Sequence, residues 1–263
     1  MHASTGRAGR PPRPTWLGYN APSMRYRIVY AFLLLVKTLS RCFYTYEVQW
    51  IGKVPADPWQ DYRLVAVLNH TSLFEFLFAG IVPNKFLRRM ATYGLVPIAS
   101  KTLDRPLVGK FWRFIAGNVV SISRERDRTW KKVMESVDPR SMVLILPEGR
   151  MKRVDGLDSN GKPMTVRAGI ADLIEATPEG KMLLAYSQGL HHVQIPDHSL
   201  VPRLFQPVRM RLEAIDLAQY HAALRARGAK GKKLVTAVVA DLTARRDRYC
   251  TSDVGARDEV APA

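Results

Sequence analysis

In the stretch "NHTSLFE" a histidine, His70, stands five residues ahead of a glutamate, Glu75. An imidazole oriented by a carboxylate is a general base for proton transfer from a hydroxyl. The spacing alone does not bring the two together. On a straight α-helix, five residues leave the side chains about 140° apart. They meet if His70 lies in the loop before a helix, with Thr71 or Ser72 near the N-cap, so that Glu75 in the first turn reaches back to the ring. The same residues also fit a surface or capping histidine and a glutamate that complements the helix dipole. Other polar groups end apolar runs further on: Arg124 after "VVSIS", and Glu148, Gly149 and Arg150 in "LPEGR".

The runs that must position these groups are "LVAVL" (64–68), "VVSIS" (119–123), "MVLIL" (142–146) and "MLLAY" (182–186). They are continuously apolar rather than alternating, as strands covered on both faces are. Helical patterns lie between them, at Leu73 to Val82, Leu107 to Ala116, Arg126 to Val137 and Arg167 to Ala176. Alternation of this kind predicts an α/β fold, a largely parallel central sheet flanked by helices on both faces. "RMKRVDGLDSNGKPMTV" reads as a loop or hairpin. Further on, "RLFQPVRMRLEAI" reads as a strand, Asp216 as the cap of a helix beginning "LAQYHAAL", and Lys233 to Arg248 as a last helix. In open α/β sheets ligands bind beyond the carboxyl ends of the strands, so His70, Arg124 and the "PEGR" turn are expected at one rim.

With 263 residues, 47% of them hydrophobic, the chain can bury a sizeable core as one domain. Its two cysteines, Cys42 and Cys250, offer neither a disulfide framework nor a zinc spacing. The formal charge of +17 calls for a negative partner or working surface. Arg7, Arg10, Arg13, Arg25, Arg27, Lys37 and Arg41 all precede the first acidic residue, Glu47, and flank a greasy segment. That arrangement suits an anionic membrane surface. The uninterrupted apolar run, Ile28 to Val36, would reach roughly 14 Å as a helix, against a hydrocarbon core of about 30 Å. An in-plane or shallowly inserted helix is therefore expected, with a snorkelling transmembrane helix or a buried core helix as the alternatives. No small-residue cleavage pattern of a signal peptide follows the run, which places the chain on the cytoplasmic face. The organisation reads as a basic arm (1–23), a membrane-associating helical segment (24–50), a catalytic domain (51–250) and a disordered tail (251–263).

Taken in order, the polar blocks resemble those of the glycerolipid acyltransferases related to 1-acyl-sn-glycerol-3-phosphate acyltransferase. "NHTSLFE" resembles the family's N-H-x-S-x-x-D, with Asn69, His70 and Ser72 matching and Glu75 in place of the aspartate. "GNVVSISR" supplies the arginine that ends the second block, Arg124, and "LPEGRM" resembles F-P-E-G-T-R, with Arg150 one position early. Lys101 stands where the family has a lysine between the first two blocks. "MLLAYSQG" departs from the family's apolar-Pro-apolar fourth block.

The resemblance implies transfer of a fatty acyl group from acyl-CoA or acyl carrier protein to a hydroxyl of a phosphorylated lysoglycerolipid, with 1-acylglycerol-3-phosphate as the default acceptor. No cofactor beyond the co-substrate is implied. His70 would be the base and Glu75 its orienter, and Arg124, with Lys101 and Arg150 beside it, would bind the acceptor phosphate. Gly149 suits a tight turn, and Glu148 either binds an acceptor hydroxyl or organises the neighbouring arginines.

Two other classes fit parts of the chain. "AYSQG" approximates a hydrolase nucleophile elbow, with Ser187 as nucleophile and His191, His192, Asp197 or His198 as partners, but the elbow needs a helix directly afterwards and Pro196 and Pro202 discourage one. A non-enzymatic basic module would use "ARGAKGKK" and "ARRDR" as contacts to anionic lipid or nucleic acid. No nucleic-acid motif accompanies them, so nucleic acid is not the expected partner.

Overall fold

The computed structural model describes residues 24–104, 106, 109–110, 112, 118–123, 125–196, 198 and 201–250. The first half comprises α1 (Met24–Phe43), β1 (Thr45–Ile51), β2 (Tyr62–Leu68), a 3-10 turn (Glu75–Gly80), α2 (Asn84–Tyr93), β3 (Gly94–Ala99), α3 (Ser100–Leu103) and β4 (Asn118–Ile122). The second half comprises α4 (Arg128–Ser136), β5 (Met142–Ile145), α5 (Gly169–Ala176), β6 (Lys181–Ser187), β7 (Pro207–Asp216), α6 (Leu217–Ala226) and α7 (Lys232–Tyr249). The strands form one sheet in the order β1, β7, β6, β2, β5, β3, β4. Every neighbouring pair is parallel except β6 with β7.

The continuous apolar runs are buried for the reason their pattern suggests. Leu64, Ala66 and Leu68 of β2 face a core shared with Ile170 and Leu173 of α5, Leu224 of α6 and Val238 of α7. Val65 and Val67 face the other way, against Leu77, Phe78 and Phe86. Fully burying one such side chain contributes about 1.5–3 kcal/mol, so β2 anchors both layers. The fold is thus α/β, mostly parallel and helix-covered on both faces, as the sequence predicts. Asp216 caps α6 as expected, accepting from the Gln219 amide.

The differences have local causes. The helix predicted from Leu73 to Val82 is only the 3-10 turn, and the Tyr46 hydroxyl donates to its Leu77 carbonyl at 2.9 Å. Tyr46 packs so closely that a β-carbon on Gly80 would lie 2.3 Å from its hydroxyl oxygen, so any larger residue there would have to displace the ring. The sequence pattern leaves β1, α2 and β3 unassigned, and the helix expected within 24–50 ends at Phe43, where "TYEVQWI" becomes an edge strand. Its register on β7 is held by Arg209 donating to Glu47 at 2.9 Å and Arg211 donating to Gln49 at 3.2 Å, each directly across the pair. β3 hides its identity behind Pro97, which is tolerated because β5 pairs only with Gly94 and Leu95 and leaves the proline beyond that ladder.

Lys37, one of the basic residues that flank the greasy segment, is engaged within the fold. Its Nζ donates to the Val82 carbonyl and to Asn84 Oδ1, both at 2.8 Å, and fastens α1 to the start of α2. Burial, then the nearby charge of Arg41, lowers its pKa. No helix among the described residues is long and apolar enough to cross a membrane. The basic arm (1–23), the tail (251–263) and most of the Leu107–Ala116 segment lie outside the described residues.

Candidate active site

Because β6, β2, β5, β3 and β4 are parallel, their carboxyl ends share one rim. β2 delivers Asn69 and His70, its neighbour β5 delivers the "PEGR" turn, β3 leads into Lys101, and β4 leads toward Arg124. The rim borders a cavity of about 940 Å³, the scale of small-molecule sites, whose walls include His70, Glu75 and many apolar side chains. A second cavity, of about 380 Å³, lined by Arg25, Tyr93 and Asn118, holds none of these polar groups.

His70 leaves β2 through a deliberate bend. Asn69 has a φ of 65°, a left-handed conformation that asparagine tolerates better than most residues, and its Nδ2 donates to the Ser187 carbonyl at 2.9 Å. The following loop is pinned as well: Leu190 N donates to Thr71 Oγ1 at 2.8 Å, and Ser72 Oγ donates to Gln194 Oε1 at 2.8 Å. The chain then turns back as the spacing argument requires. Glu75 Oε1 accepts from the amides of Thr71 (2.8 Å) and Ser72 (3.0 Å), leaving Oε2 at 2.9 Å from His70 Nδ1. That last approach is close without being aligned as a hydrogen bond. Both side chains are largely sheltered, at 18% and 9% exposure. With Nδ1 turned to the carboxylate, Nε2 is the nitrogen available to accept a proton, and it has no partner among the described residues.

The backbone of His70 is clamped from both sides. Its amide donates to Glu148 Oε2 at 2.8 Å, and its carbonyl accepts from Lys152 N at 2.6 Å. The Lys152 carbonyl is in turn bound by His191 Nε2 at 2.8 Å. Glu148 is 2% exposed, and its other oxygen lies 3.4 Å from Nη1 of Arg246, which reaches in from the end of α7 and also donates to the Met164 carbonyl. Of the two roles considered for Glu148, the geometry matches the organiser. Gly149 follows with a φ of 68°, the turn that only glycine makes without strain.

The cations divide into engaged and available. Arg150 lines the cavity and is paired with Asp158, with Nη1 3.1 Å from Oδ2. Amides of Lys162 and Asn160, with Arg150 beside them, hold the Asp158 carboxyl below the usual range, so this part of the loop keeps its charge. Lys101 is exposed and lines the cavity. Arg124 lies outside the described residues, although Ile122 and Glu125 on either side of it line the cavity. Arg126, the next cation along, is bound to Asp172, which also accepts from Trp130 Nε1.

One cation escaped the sequence reading. Arg167 lines the cavity, is exposed, and has no side-chain partner among the described residues. Its amide donates to the Pro147 carbonyl at 2.8 Å, and its Cγ lies 3.9 Å from where a β-carbon on Gly149 would sit. It stands beside the turn that clamps His70. The sequence shows it only as the first residue of a helical pattern, which carries no hint of that neighbour.

The hydrolase reading fails on geometry. Ser187 is fully buried, and its Oγ accepts from the Gly189 amide at 3.1 Å. His191 and His192 are bound to the carbonyls of Lys152 and Pro207, and residues 188–196, directly after the serine, form no helix. Asp197 lies outside the described residues.

No protein-family model matches the sequence, and no curated protein matches it. Among solved structures, the chain is similar in fold to the crystal structure of the 1-acyl-sn-glycerophosphate (LPA) acyltransferase PlsC from Thermotoga maritima. The two are 17% identical in sequence, the match covers 84% of this chain and 77% of that one, and the TM-score is 0.49.

Proposed function

We propose that the chain is an O-acyltransferase that moves a fatty acyl group from a thioester, acyl-CoA or acyl carrier protein, to a hydroxyl of a phosphorylated lysoglycerolipid at an anionic membrane surface. The observation that carries the reading is the His70–Glu75 pair, buttressed on every side and open through Nε2 to a large, mainly apolar cavity. The first and third acyltransferase-like blocks follow the neighbouring strands β2 and β5, and the second follows β4 in the same sheet.

A thioester carbonyl is already activated, and the weak reactant is the neutral alcohol. His70 Nε2 takes the hydroxyl proton as the oxygen attacks the carbonyl carbon. A C–O bond forms, the C–S bond breaks, and the departing thiolate receives the proton back from the imidazolium. No acyl-enzyme is required. Glu75 holds the ring and stabilises its transient charge, the work of the carboxylate in other dyads. The cavity receives acyl chain, and the cationic edge receives phosphate.

Release of thiol from acyl-CoA, dependent on an added lysophospholipid and abolished with His70, tests the reaction class. A binding module would release none. Running the assay with a panel of acceptors and with both donor types then names the substrates.

Within this reading Arg167 is the phosphate ligand best placed in the described structure, and Arg124, two positions after β4 in the sequence, is proposed as its companion. A guanidinium suits phosphate oxygens because it donates two parallel hydrogen bonds. Arg167→Ala is expected to raise the Michaelis constant for the acceptor at least about tenfold, the scale of a lost charge-assisted hydrogen bond, and to spare that of the thioester. Equal effects on both substrates would remove Arg167 from the acceptor site.

A further inference from the structure

α1 has two apolar faces, and the fold uses only one. Val29, Leu33 and Val36 are buried, with Val29 and Leu33 packed on Leu87 and Ala91 of α2. On the opposite side Met24, Ile28, Leu35 and Leu39 follow one another at steps of four, seven and four residues, form one stripe, and are all exposed. The stripe ends at Phe43, and there the chain brings a second element alongside. Phe205, from the loop before β7, packs its ring edge-on against Phe43 with centroids 6.0 Å apart, and its amide donates to the Phe43 carbonyl at 2.7 Å.

Phe205 is unusual in two ways at once. Its φ is 59°, a left-handed conformation that costs a bulky residue steric strain, and its side chain is 71% exposed. Val201 (76%) and Leu204 (43%) of the same loop are exposed too. The amide bond to Phe43 and the edge contact between the two rings offset part of that cost. Burial of the exposed ring by an outside partner would offset more. Arg25, Arg27 and Arg41 on α1, and Arg203 on the loop, are exposed as well, in a chain of formal charge +17.

We infer that the 201–205 loop is a second bilayer-docking element, which enters an anionic membrane together with the outer stripe of α1 and fixes how the chain lies on it. Phe43 and Phe205 join the two elements into one apolar surface, and these arginines meet anionic headgroups. The inner face of α1 contributes Leu33 and Val36 to the wall of the cavity that holds His70. Docking through both elements therefore brings a wall of the acyl site against the lipid that supplies its substrates. The inference deepens the membrane part of the proposed function and rests on it, but not on the chemistry at His70.

Co-flotation of the full chain with vesicles tests it, using phosphatidylcholine alone and an equimolar mixture with phosphatidylglycerol. The wild type is expected to float with the anionic vesicles and far less with the neutral ones. Phe205→Asn removes the ring but keeps a residue that tolerates the left-handed conformation, so its melting temperature should not fall. Its partitioning should fall by at least about tenfold, the loss expected for one buried aromatic side chain, and Phe205→Trp should restore it. Wild-type binding that Phe205→Asn leaves unchanged would overturn the loop's role while sparing the membrane reading. Failure of the wild type to float would overturn both, as would a solution dimer that Phe205→Asn dissociates, because a second copy would then cover the surface. His70→Ala should float like the wild type, whatever becomes of its activity.

Discussion

His70→Ala is expected to lower turnover by at least about 100-fold, the lower bound of what a positioned general base supplies, while the protein stays folded. The fold survives because the structural bonds of this residue are made by its backbone. The amide to Glu148 and the carbonyl to Lys152 remain in the variant. Glu75 also keeps its two amide donors, Thr71 and Ser72, so removal of the ring leaves no orphaned carboxylate. Thiol release under saturating donor and acceptor measures the loss, and circular dichroism with thermal unfolding checks the fold. A folded variant with near-normal turnover would remove His70 from the chemistry. Glu75→Gln adds a graded companion. Its amide oxygen can still accept from Thr71 and Ser72, but the charge beside Nδ1 is gone, so kcat should fall by less than in His70→Ala with the acceptor Michaelis constant unchanged.

The legibility of this site in the sequence follows from how far apart its partners lie along the chain. β2, β4, β5 and β6 were visible because strands buried on both faces must be apolar throughout, and that is a local property. The dyad was visible because both members lie within one loop and one turn. What could not be read are contacts that only the sheet order creates. Arg246 reaches Glu148 across 98 positions and Leu190 reaches Thr71 across 119, and neither pair has any local periodicity to betray it. Arg167 was taken into a helix because "VRAGIADLI" is helical in pattern, and only the bond to Pro147 shows that it stands beside the turn that clamps His70. β3 and β1 were missed because a proline and a mixed polar edge mask their strand character. Arg150 shows the converse. A cation in a family-like block was assigned to substrate, and its pairing with Asp158 eight positions on could not be read from the block.

The second large effect is expected at Glu148, through stability and activity together. Its two oxygens face different partners: one holds the His70 amide at 2.8 Å, and the other stands 3.4 Å from Arg246. The carboxylate is almost wholly buried and the arginine 14% exposed. Burial opposes the charge on Arg246, but hydrogen bonding and charge from Asp247 and Glu148 outweigh it and hold its pKa above the ordinary value. Removing one partner of a buried pair leaves the other desolvated and uncompensated, which costs about 3–5 kcal/mol. Arg246 keeps Asp247 and the Met164 carbonyl, so Glu148→Ala belongs at the lower end, about 3 kcal/mol, read as a lower urea midpoint at unchanged slope. Cys250 offers a local probe. Burial first, and the Glu148 charge second, push its thiol well above the usual range, so loss of the carboxylate should speed its reaction with thiol reagents while exposed Cys42 reacts as before. Glu148→Gln separates the two jobs. It retains an acceptor for the His70 amide and loses the ion pair, so it should recover more turnover than stability relative to alanine. If glutamine instead abolished turnover as fully as alanine in a stable protein, the Glu148 charge itself would act in the reaction, and its place as the organiser of His70 would have to be given up.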